Sequence, residues 1–139
     1  MAQSIREIMT ADPRTVEPSA TLTEAARAMR DDDVGAVLVV DGGTLAGIVT
    51  DRDIAVRAVA DGADPESTRV SDVCSTDVAT LTVDQTVDDA IRLVRERDVR
   101  RIPVLQDGRP AGIVTIGDLA IERDTDSALA DISSEPANN

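Results

Sequence analysis

The chain has 139 residues, 42% of them apolar, with no Phe, Tyr, Trp or His and a single cysteine, Cys74. Without an imidazole, Ser–His–Asp and Cys–His nucleophilic sites cannot form, and one thiol without histidine supports neither a Cys/His zinc site nor an internal disulfide. The net charge of −13 repels a phosphate backbone and therefore argues against a nucleic-acid partner.

The charged residues are unusual in kind, because every cation is arginine and Asp outnumbers Glu. The codon bias of a GC-rich genome and adaptation to high salt both explain this composition, and the sequence leaves them open. The N-terminus lacks the apolar core of a signal peptide, and no run approaches the roughly 20 apolar residues of a membrane span. We therefore expect a cytoplasmic protein without membrane contact.

The sequence repeats itself. A shift of 65 residues aligns Gly47-Ile-Val-Thr50 with Gly112-Ile-Val-Thr115, and Asp53 with Asp118, without a gap. One gapless register predicts two copies of a single supersecondary unit. We place the copies at residues 5–60 and 70–124, with a linker at 61–69 and a polar tail at 125–139.

In the first copy, a short β-prone stretch at Thr15–Val16 precedes a predicted amphipathic helix. The stretch Thr21-Leu-Thr-Glu24 is typical of a helix N-cap with a capping box. The apolar positions expected to face the core are Leu22, Ala25, Ala26 and Met29. The apolar runs 36–40 and 47–49, separated by a Gly-rich turn, predict a buried hairpin, and a second helix begins near Asp51.

The second copy has the same order. A β-prone stretch at 80–83 precedes the predicted cap and capping box Thr86-Val-Asp-Asp89. The apolar runs 102–105 and 112–114 predict the second hairpin, and a helix begins near Ile116. Each copy is therefore a β-α-β-β-α unit, and the fold class is α/β.

The repeated Thr-x-x-Asp has two interpretations. Thr50 or Asp51 could cap the second helix, with Asp53 in the first turn, where the helix dipole favours an anion. Alternatively, a carboxylate at the end of a strand can accept hydrogen bonds from the vicinal hydroxyls of a ribose, while free backbone N–H groups at the helix start hold phosphate. The residues alone leave both possibilities open.

The chain resembles a tandem pair of CBS domains, or Bateman module, from about Ile5 to Arg123. The resemblance rests on the paired Gly-Ile-Val-Thr-x-x-Asp, on Val99-Arg-Arg-Ile-Pro-Val104 and on the element order. It implies two CBS motifs in a pseudo-two-fold tandem repeat that form one module. The implied function is noncatalytic sensing of AMP, ADP or ATP, with no required cofactor. Small bacterial proteins of this kind include some linked to stress or dormancy.

The resemblance also implies two ligand clefts, each built from both motifs. In the first, Thr50 and Asp53 would face Val78, Ala79, Thr80, Arg100 and Arg101, in the stretch that contains Pro103. In the second, Thr115 and Asp118 would face Pro13, Arg14, Thr15, Gly35 and Ala36. Arg52 could turn towards phosphate or towards solvent. Because only the first cleft gains two guanidinium groups, we expect nucleotide to bind there first.

Alternatives to nucleotide sensing are a structural or protein-interaction module with degenerate clefts, and a module for another adenosyl ligand, such as S-adenosylmethionine or NAD. Apolar residues on the second helices predict a homodimer: Ile54, Val56, Val59, Leu119 and Ile121. The downstream protein partner is unknown. The Asp31-Asp32-Asp33 run is interpreted as a solvated turn rather than a metal site, and Cys74 as a core residue because it aligns with Met9.

Overall fold

The computed structural model describes residues 4–123, so the polar tail expected at 125–139 lies outside the described residues. The chain forms two compact units. One comprises residues 13–78 and is called here the Thr50 unit. The other combines residues 4–12 with 79–123 of the described range and is called the Thr115 unit.

The Thr50 unit is a three-stranded sheet covered by helices. Its elements are β2 (Thr15–Val16), α2 (Leu22–Asp32), β3 (Ala36–Asp41), β4 (Thr44–Thr50), α3 (Asp51–Asp53), a π-helix (Ile54–Val59) and a 3₁₀-helix (Val70–Asp72). The strand order is β2-β3-β4, with β2 parallel and β4 antiparallel to β3. The apolar stripe of α2 packs on β3 and β4 through Leu22, Val37 and Val49, which are fully buried.

The Thr115 unit has the same plan with one added strand. Its elements are α1 (Ile5–Ile8), β1 (Thr10–Ala11), β5 (Leu81–Thr82), α4 (Val87–Arg97), β6 (Arg101–Gln106), β7 (Arg109–Thr115) and α5 (Ile116–Arg123). The strand order is β1-β7-β6-β5. Ala90, Ile102 and Val104 are buried in its core. The two predicted hairpins are therefore confirmed.

The helix ends are set by local chemistry. Thr21 and Thr86 are the N-caps of α2 and α4, as expected. Thr86 forms the complete capping box with Asp89, whereas Thr21 only accepts a hydrogen bond from the Glu24 N–H, so the first box is one-sided. The Asp31-Asp32-Asp33 run is exposed, as expected, but only Asp33 lies in a turn: Asp31 and Asp32 are the last residues of α2, and Asp33 ends the helix in a left-handed conformation.

One core prediction was wrong. Ala26 is exposed, and Ala28 is buried in its place. Both alanines border the apolar stripe of α2, and their small side chains give the sequence pattern little to distinguish them.

The segment that leads into each repeat packs on the hairpin of the other repeat. Thr10 and Ala11 pair with Ile113 and Gly112 of β7. In the Thr50 unit, the Ser75 N–H donates to the Ile48 carbonyl at 2.9 Å, and the Ile48 N–H donates to the Ser75 carbonyl at 3.0 Å. The packed units consequently begin and end at different residues from the sequence repeats.

The second helix of the first repeat is not a regular α-helix. After one turn at Asp51–Asp53 it continues as a π-helix over Ile54–Val59. Its counterpart, α5, is α-helical over Ile116–Arg123. Among residues 4–123, no helix combines the length and apolar character that a membrane crossing requires.

Candidate functional site

Thr50 and Asp53 lie where β4 ends and α3 begins. The Thr50 N–H donates to Asp53 Oδ2 at 2.9 Å, and the Asp53 N–H donates to Thr50 Oγ1 at 3.0 Å. These reciprocal bonds fix the carboxylate, whose side chain is only 14% exposed. The Asp51 N–H donates to the Gly35 carbonyl at 3.0 Å, which holds the helix start against the beginning of the hairpin.

Thr115 and Asp118 reproduce this geometry in the other unit. The Thr115 N–H donates to Asp118 Oδ2 at 2.9 Å, and the Asp118 N–H donates to Thr115 Oγ1 at 3.1 Å. The Ile116 N–H donates to the Arg100 carbonyl at 3.0 Å. The repeated motif therefore places the same pair of side chains at the same edge of each sheet.

Capping geometry alone does not identify a ligand site. Thr86 and Asp89 make the same reciprocal bonds at the start of α4. There the Thr86 N–H lowers the pKa of the Asp89 carboxyl, as expected for a helix cap. The pairs that begin at Thr50 and Thr115 differ from this ordinary cap in their position. Each lies at the end of the second strand of a hairpin, beside the first residues of the first strand.

The first residues of the two hairpins differ in charge. Arg101 is the cross-strand partner of Thr115, whereas buried Ala36 is the partner of Thr50. Arg101 lies on the opposite face of β6 from the core residue Ile102, as strand alternation requires. Its Nη2 is buried and has no hydrogen-bond partner among the described residues. Arg100, one position earlier, is exposed.

The remaining predicted site residues have varied surroundings. Arg52 is exposed, and Arg14 is exposed and makes a 3.1 Å ion pair with Asp32. Gly35 is half-buried, and Thr15, in β2, is exposed. Both belong to the Thr50 unit, as do Pro13 and Val78. Ala79, Thr80 and Pro103 belong to the Thr115 unit, where Ala79 and Pro103 are buried.

Within single units, the structure therefore brings Gly35 and Ala36 to Thr50, and Arg100 and Arg101 to Thr115. The assignment of Arg100 and Arg101 to a ligand held by Thr50 and Asp53 stays a prediction from the family resemblance. The same holds for the other residues assigned to each cleft.

Arg57 makes two contacts that were not predicted from the sequence. Its Nε lies 3.8 Å from Asp53 Oδ1, and its Nη1 donates to the Val73 carbonyl at 3.1 Å. The spacing of four residues from Asp53 was a usable signal for the ion pair. The contact to Val73 depends on the packing of a distant segment, which no local pattern reveals.

Cys74 follows Val73 and packs partly buried against the core of the Thr50 unit, in agreement with its interpretation as a core residue. Burial raises the pKa of the Cys74 thiol, and the Asp53 carboxylate raises it further. Residues 4–123 contain no group of three or more His, Cys, Asp or Glu side chains that could hold a metal ion.

An apolar groove lies on the helical side of the Thr50 unit. Its volume is about 350 Å³, and it is lined by Ala26, Met29, Arg30, Val34, Asp51, Ile54, Ala55 and Val59. Val56 and Val59 on the adjoining π-helix are 54% and 61% exposed. In α5, Ile116 and Ile121 are exposed, whereas Leu119, which was expected at the dimer surface, is buried in the core.

The CBS domain family model matches the chain twice, at residues 5–59 and 70–123. The chain is 40% identical over 134 residues to the CBS domain-containing protein YhcV of Bacillus subtilis, covering 94% of this chain and 95% of the relative. It is 34% identical over 116 residues to Hypoxic response protein 1 of Mycobacterium tuberculosis, covering 83% and 81%.

Solved structures of CBS proteins have the same fold. The CBS pair of MJ0100, in complex with 5-methylthioadenosine and S-adenosyl-L-methionine, matches with a TM-score of 0.81 at 25% identity, covering 91% of this chain and 100% of that one. Hypoxic Response Protein I with two coordinated zinc ions matches with a TM-score of 0.78 at 33% identity, covering 88% and 98%. A hexameric CBS-CP12 protein of cyanobacteria matches with a TM-score of 0.77 at 29% identity, covering 86% and 67%.

Proposed function

Because this chain belongs to the CBS domain family and carries two copies of the domain, we propose that it is a noncatalytic sensor that binds an adenosine nucleotide, AMP, ADP or ATP, through its two Thr-x-x-Asp sites. Ligand binding would shift a conformational or oligomeric equilibrium. The relatives named above carry no enzyme name.

The observation that carries the proposal is the buried Nη2 of Arg101. A buried guanidinium nitrogen without an acceptor is unfavourable by about 1–3 kcal/mol, so such groups are almost always paired. Arg101 stands across the ladder from Thr115, at the edge that carries Asp118. A phosphate supplies the acceptor atoms that a guanidinium binds best.

The two carboxylates supply the complementary half of nucleotide recognition. Asp53 and Asp118 each use Oδ2 to accept the backbone N–H of their threonine. The second carboxylate oxygen can accept a hydroxyl of a ribose. With no aromatic residue in the chain, the adenine would pack between aliphatic side chains, which still contributes through apolar burial.

A second candidate ligand class is an adenosyl compound without phosphate. The complex of MJ0100 with 5-methylthioadenosine and S-adenosyl-L-methionine supports it, as does the absence of a cation at Gly35 and Ala36 beside Thr50. Hypoxic Response Protein I has two coordinated zinc ions, but this chain, with no histidine and one cysteine, cannot form a Cys/His zinc site.

The test replaces Arg101 with Met, which keeps the apolar stem and removes the guanidinium with its unpaired Nη2. We expect Arg101→Met to weaken AMP, ADP and ATP binding about tenfold or more, while raising the free energy of unfolding without ligand by about 1 kcal/mol. The matched control is Arg95→Met, at an exposed position in the last turn of α4. Unchanged nucleotide affinity in Arg101→Met would remove the main support for a phosphate-bearing ligand.

We also propose that the chain forms a homodimer through its second helices. The exposed Val56 and Val59 adjoin the apolar groove of the Thr50 unit, and a second copy would supply side chains of the same kind. The name of Hypoxic response protein 1 supports a role of this chain in a stress response, with a downstream protein partner still to be found.

A further inference from the structure

Arg57 contacts both the ligand-site carboxylate and a segment from a distant part of the chain. Its Nε lies 3.8 Å from Asp53 Oδ1, and its Nη1 donates to the Val73 carbonyl at 3.1 Å. Arg57 is 55% exposed, so the ion pair alone would contribute little. The hydrogen bond to Val73 gives the same guanidinium a second, directional partner.

The segment that Arg57 holds is defined here as Val70–Ser75. Val70 and Val73 are buried in the core of the Thr50 unit, and Ser75 exchanges two backbone hydrogen bonds with Ile48 of β4. Gly47 has no Cβ, which leaves room for the Ser75 carbonyl to pack closely against it. Val70–Ser75 ends shortly before the chain leaves this unit at Val78.

The sequence of the second repeat has no arginine at the position of Arg57. The aligned residue is Glu122, whose charge is opposite. In the Thr115 unit, the leading segment is held by the pairing of β1 with β7. The arginine tether is thus particular to Asp53, although the two Thr-x-x-Asp sites are otherwise alike.

We propose that Arg57 is a positioning residue that joins the Asp53 carboxylate to Val70–Ser75, so that a ribose-bearing ligand on Asp53 is sensed by this segment. This inference rests on the proposed nucleotide binding. A ligand hydroxyl that shares Asp53 Oδ1 further immobilises the carboxylate, and through it the guanidinium and the Val73 carbonyl. The two equilibria, ligand binding and ordering of the segment, are linked through Arg57. If the ordered segment raises the affinity for the ligand by some factor, the bound ligand favours the ordered segment by the same factor.

The test measures hydrogen exchange of the Ser75 amide by NMR, in an Asp118→Asn background that leaves Asp53 as the intact site. Without ligand, Arg57→Ala should speed this exchange about fivefold, as expected for one lost hydrogen bond at a half-exposed donor. With saturating AMP or ATP, exchange should slow in the parent and stay nearly constant in Arg57→Ala. Arg57→Lys keeps a cation but lacks the planar group that reaches both partners, so it should also lose the ligand response.

Arg92→Ala is the matched control, because Arg92 pairs with Asp89 of an ordinary cap at 3.6 Å. It should leave the Ser75 exchange and its ligand response unchanged. The Asp12 amide, which is bonded to the Ala111 carbonyl, should exchange at the same rate in the Arg57 variants as in the parent.

The inference is wrong if Arg57→Ala leaves the ligand-free rate of Ser75 exchange unaltered, or if either Arg57 variant retains the full ligand response. If calorimetry shows that the unaltered protein binds no nucleotide, the proposed function fails, and with it the sensing. If the unaltered protein binds nucleotide but the Asp118→Asn parent does not, only the sensing at Asp53 fails. The ligand-free rates still decide whether Arg57 holds the segment.

Discussion

Gly47 lies so close to Ser75 that a Cβ on Gly47 would stand 2.5 Å from the Ser75 carbonyl oxygen and 3.1 Å from the Cys74 Sγ. Gly112 has the equivalent relationship with Met9 and Thr10, at 2.6 Å from the Met9 Sδ and 2.8 Å from the Thr10 carbonyl oxygen. The glycine that opens each Gly-Ile-Val-Thr therefore makes room for the segment that packs on its strand.

We predict that Gly47→Ala and Gly112→Ala each destabilise the protein by about 1–3 kcal/mol, the usual range for overpacking. Gly47→Ala should have the larger effect, because its nearest obstacle is backbone, whereas the nearest atom to Gly112 belongs to a flexible side chain. Urea unfolding measures both values. Wild-type stability in either variant would show that the packed segments do not depend on these glycines.

The homodimer can be tested at the π-helix. Replacing both Val56 and Val59 with Asp places charge on the exposed apolar surface and should yield a monomer, because a buried unpaired carboxylate opposes association. Sedimentation velocity at about 10 µM distinguishes monomer from dimer for an interface of micromolar affinity. Thr44→Asp, at an exposed position of the β3–β4 hairpin, should remain dimeric. A monomeric unaltered protein at that concentration would contradict the proposal.

The net charge of −13 predicts a stabilising effect of salt. Folding brings carboxylates closer together, and their repulsion is screened as the Debye length falls from about 8 Å at 0.15 M salt to about 3 Å at 1 M. The melting temperature should rise with KCl and then level off. A continuous linear rise would instead indicate exclusion of salt from the surface, and a constant or falling melting temperature would contradict the charge argument.

Cys74 should react slowly with iodoacetamide at neutral pH. Burial and the Asp53 carboxylate both raise the pKa of its thiol, so the reactive thiolate forms only at higher pH than in an unfolded chain. We expect the inflection of the rate–pH profile to lie above that of the urea-unfolded protein. Asp53→Asn should move it back towards the unfolded value, because it removes the carboxylate charge. Coincident folded and unfolded profiles would show that Cys74 is not in this environment.

Local features of the fold could be predicted, and long-range packing could not. The caps at Thr21 and Thr86 and the two hairpins depend on residues adjacent in sequence, and they are confirmed. The pairing of Thr10 with Ile113 depends on a two-residue strand too short to have a hydrophobic period. The π-helix at Ile54–Val59 was not predicted, because the spacing of apolar residues does not show whether each N–H bonds the carbonyl four or five residues earlier.

The site was predictable to the same extent. The repeat identified Thr50, Asp53, Thr115 and Asp118, and each pair is joined by reciprocal hydrogen bonds. Identity across the repeat could not reveal the unpaired Nη2 of Arg101 or the bond from Arg57 to Val73, since each depends on what packs around one side chain.

The most direct test of nucleotide sensing is isothermal titration calorimetry of the protein and of Asp53→Asn/Asp118→Asn with AMP, ADP and ATP. Asparagine keeps an oxygen that can accept the threonine N–H and cap the helix, but replaces the second acceptor oxygen with a donor. We predict saturable binding of at least one nucleotide by the protein, and a loss of about tenfold or more in affinity in the double variant, with little change in melting temperature. No binding at millimolar nucleotide, or equal affinity in the double variant, would contradict the account and favour a structural module.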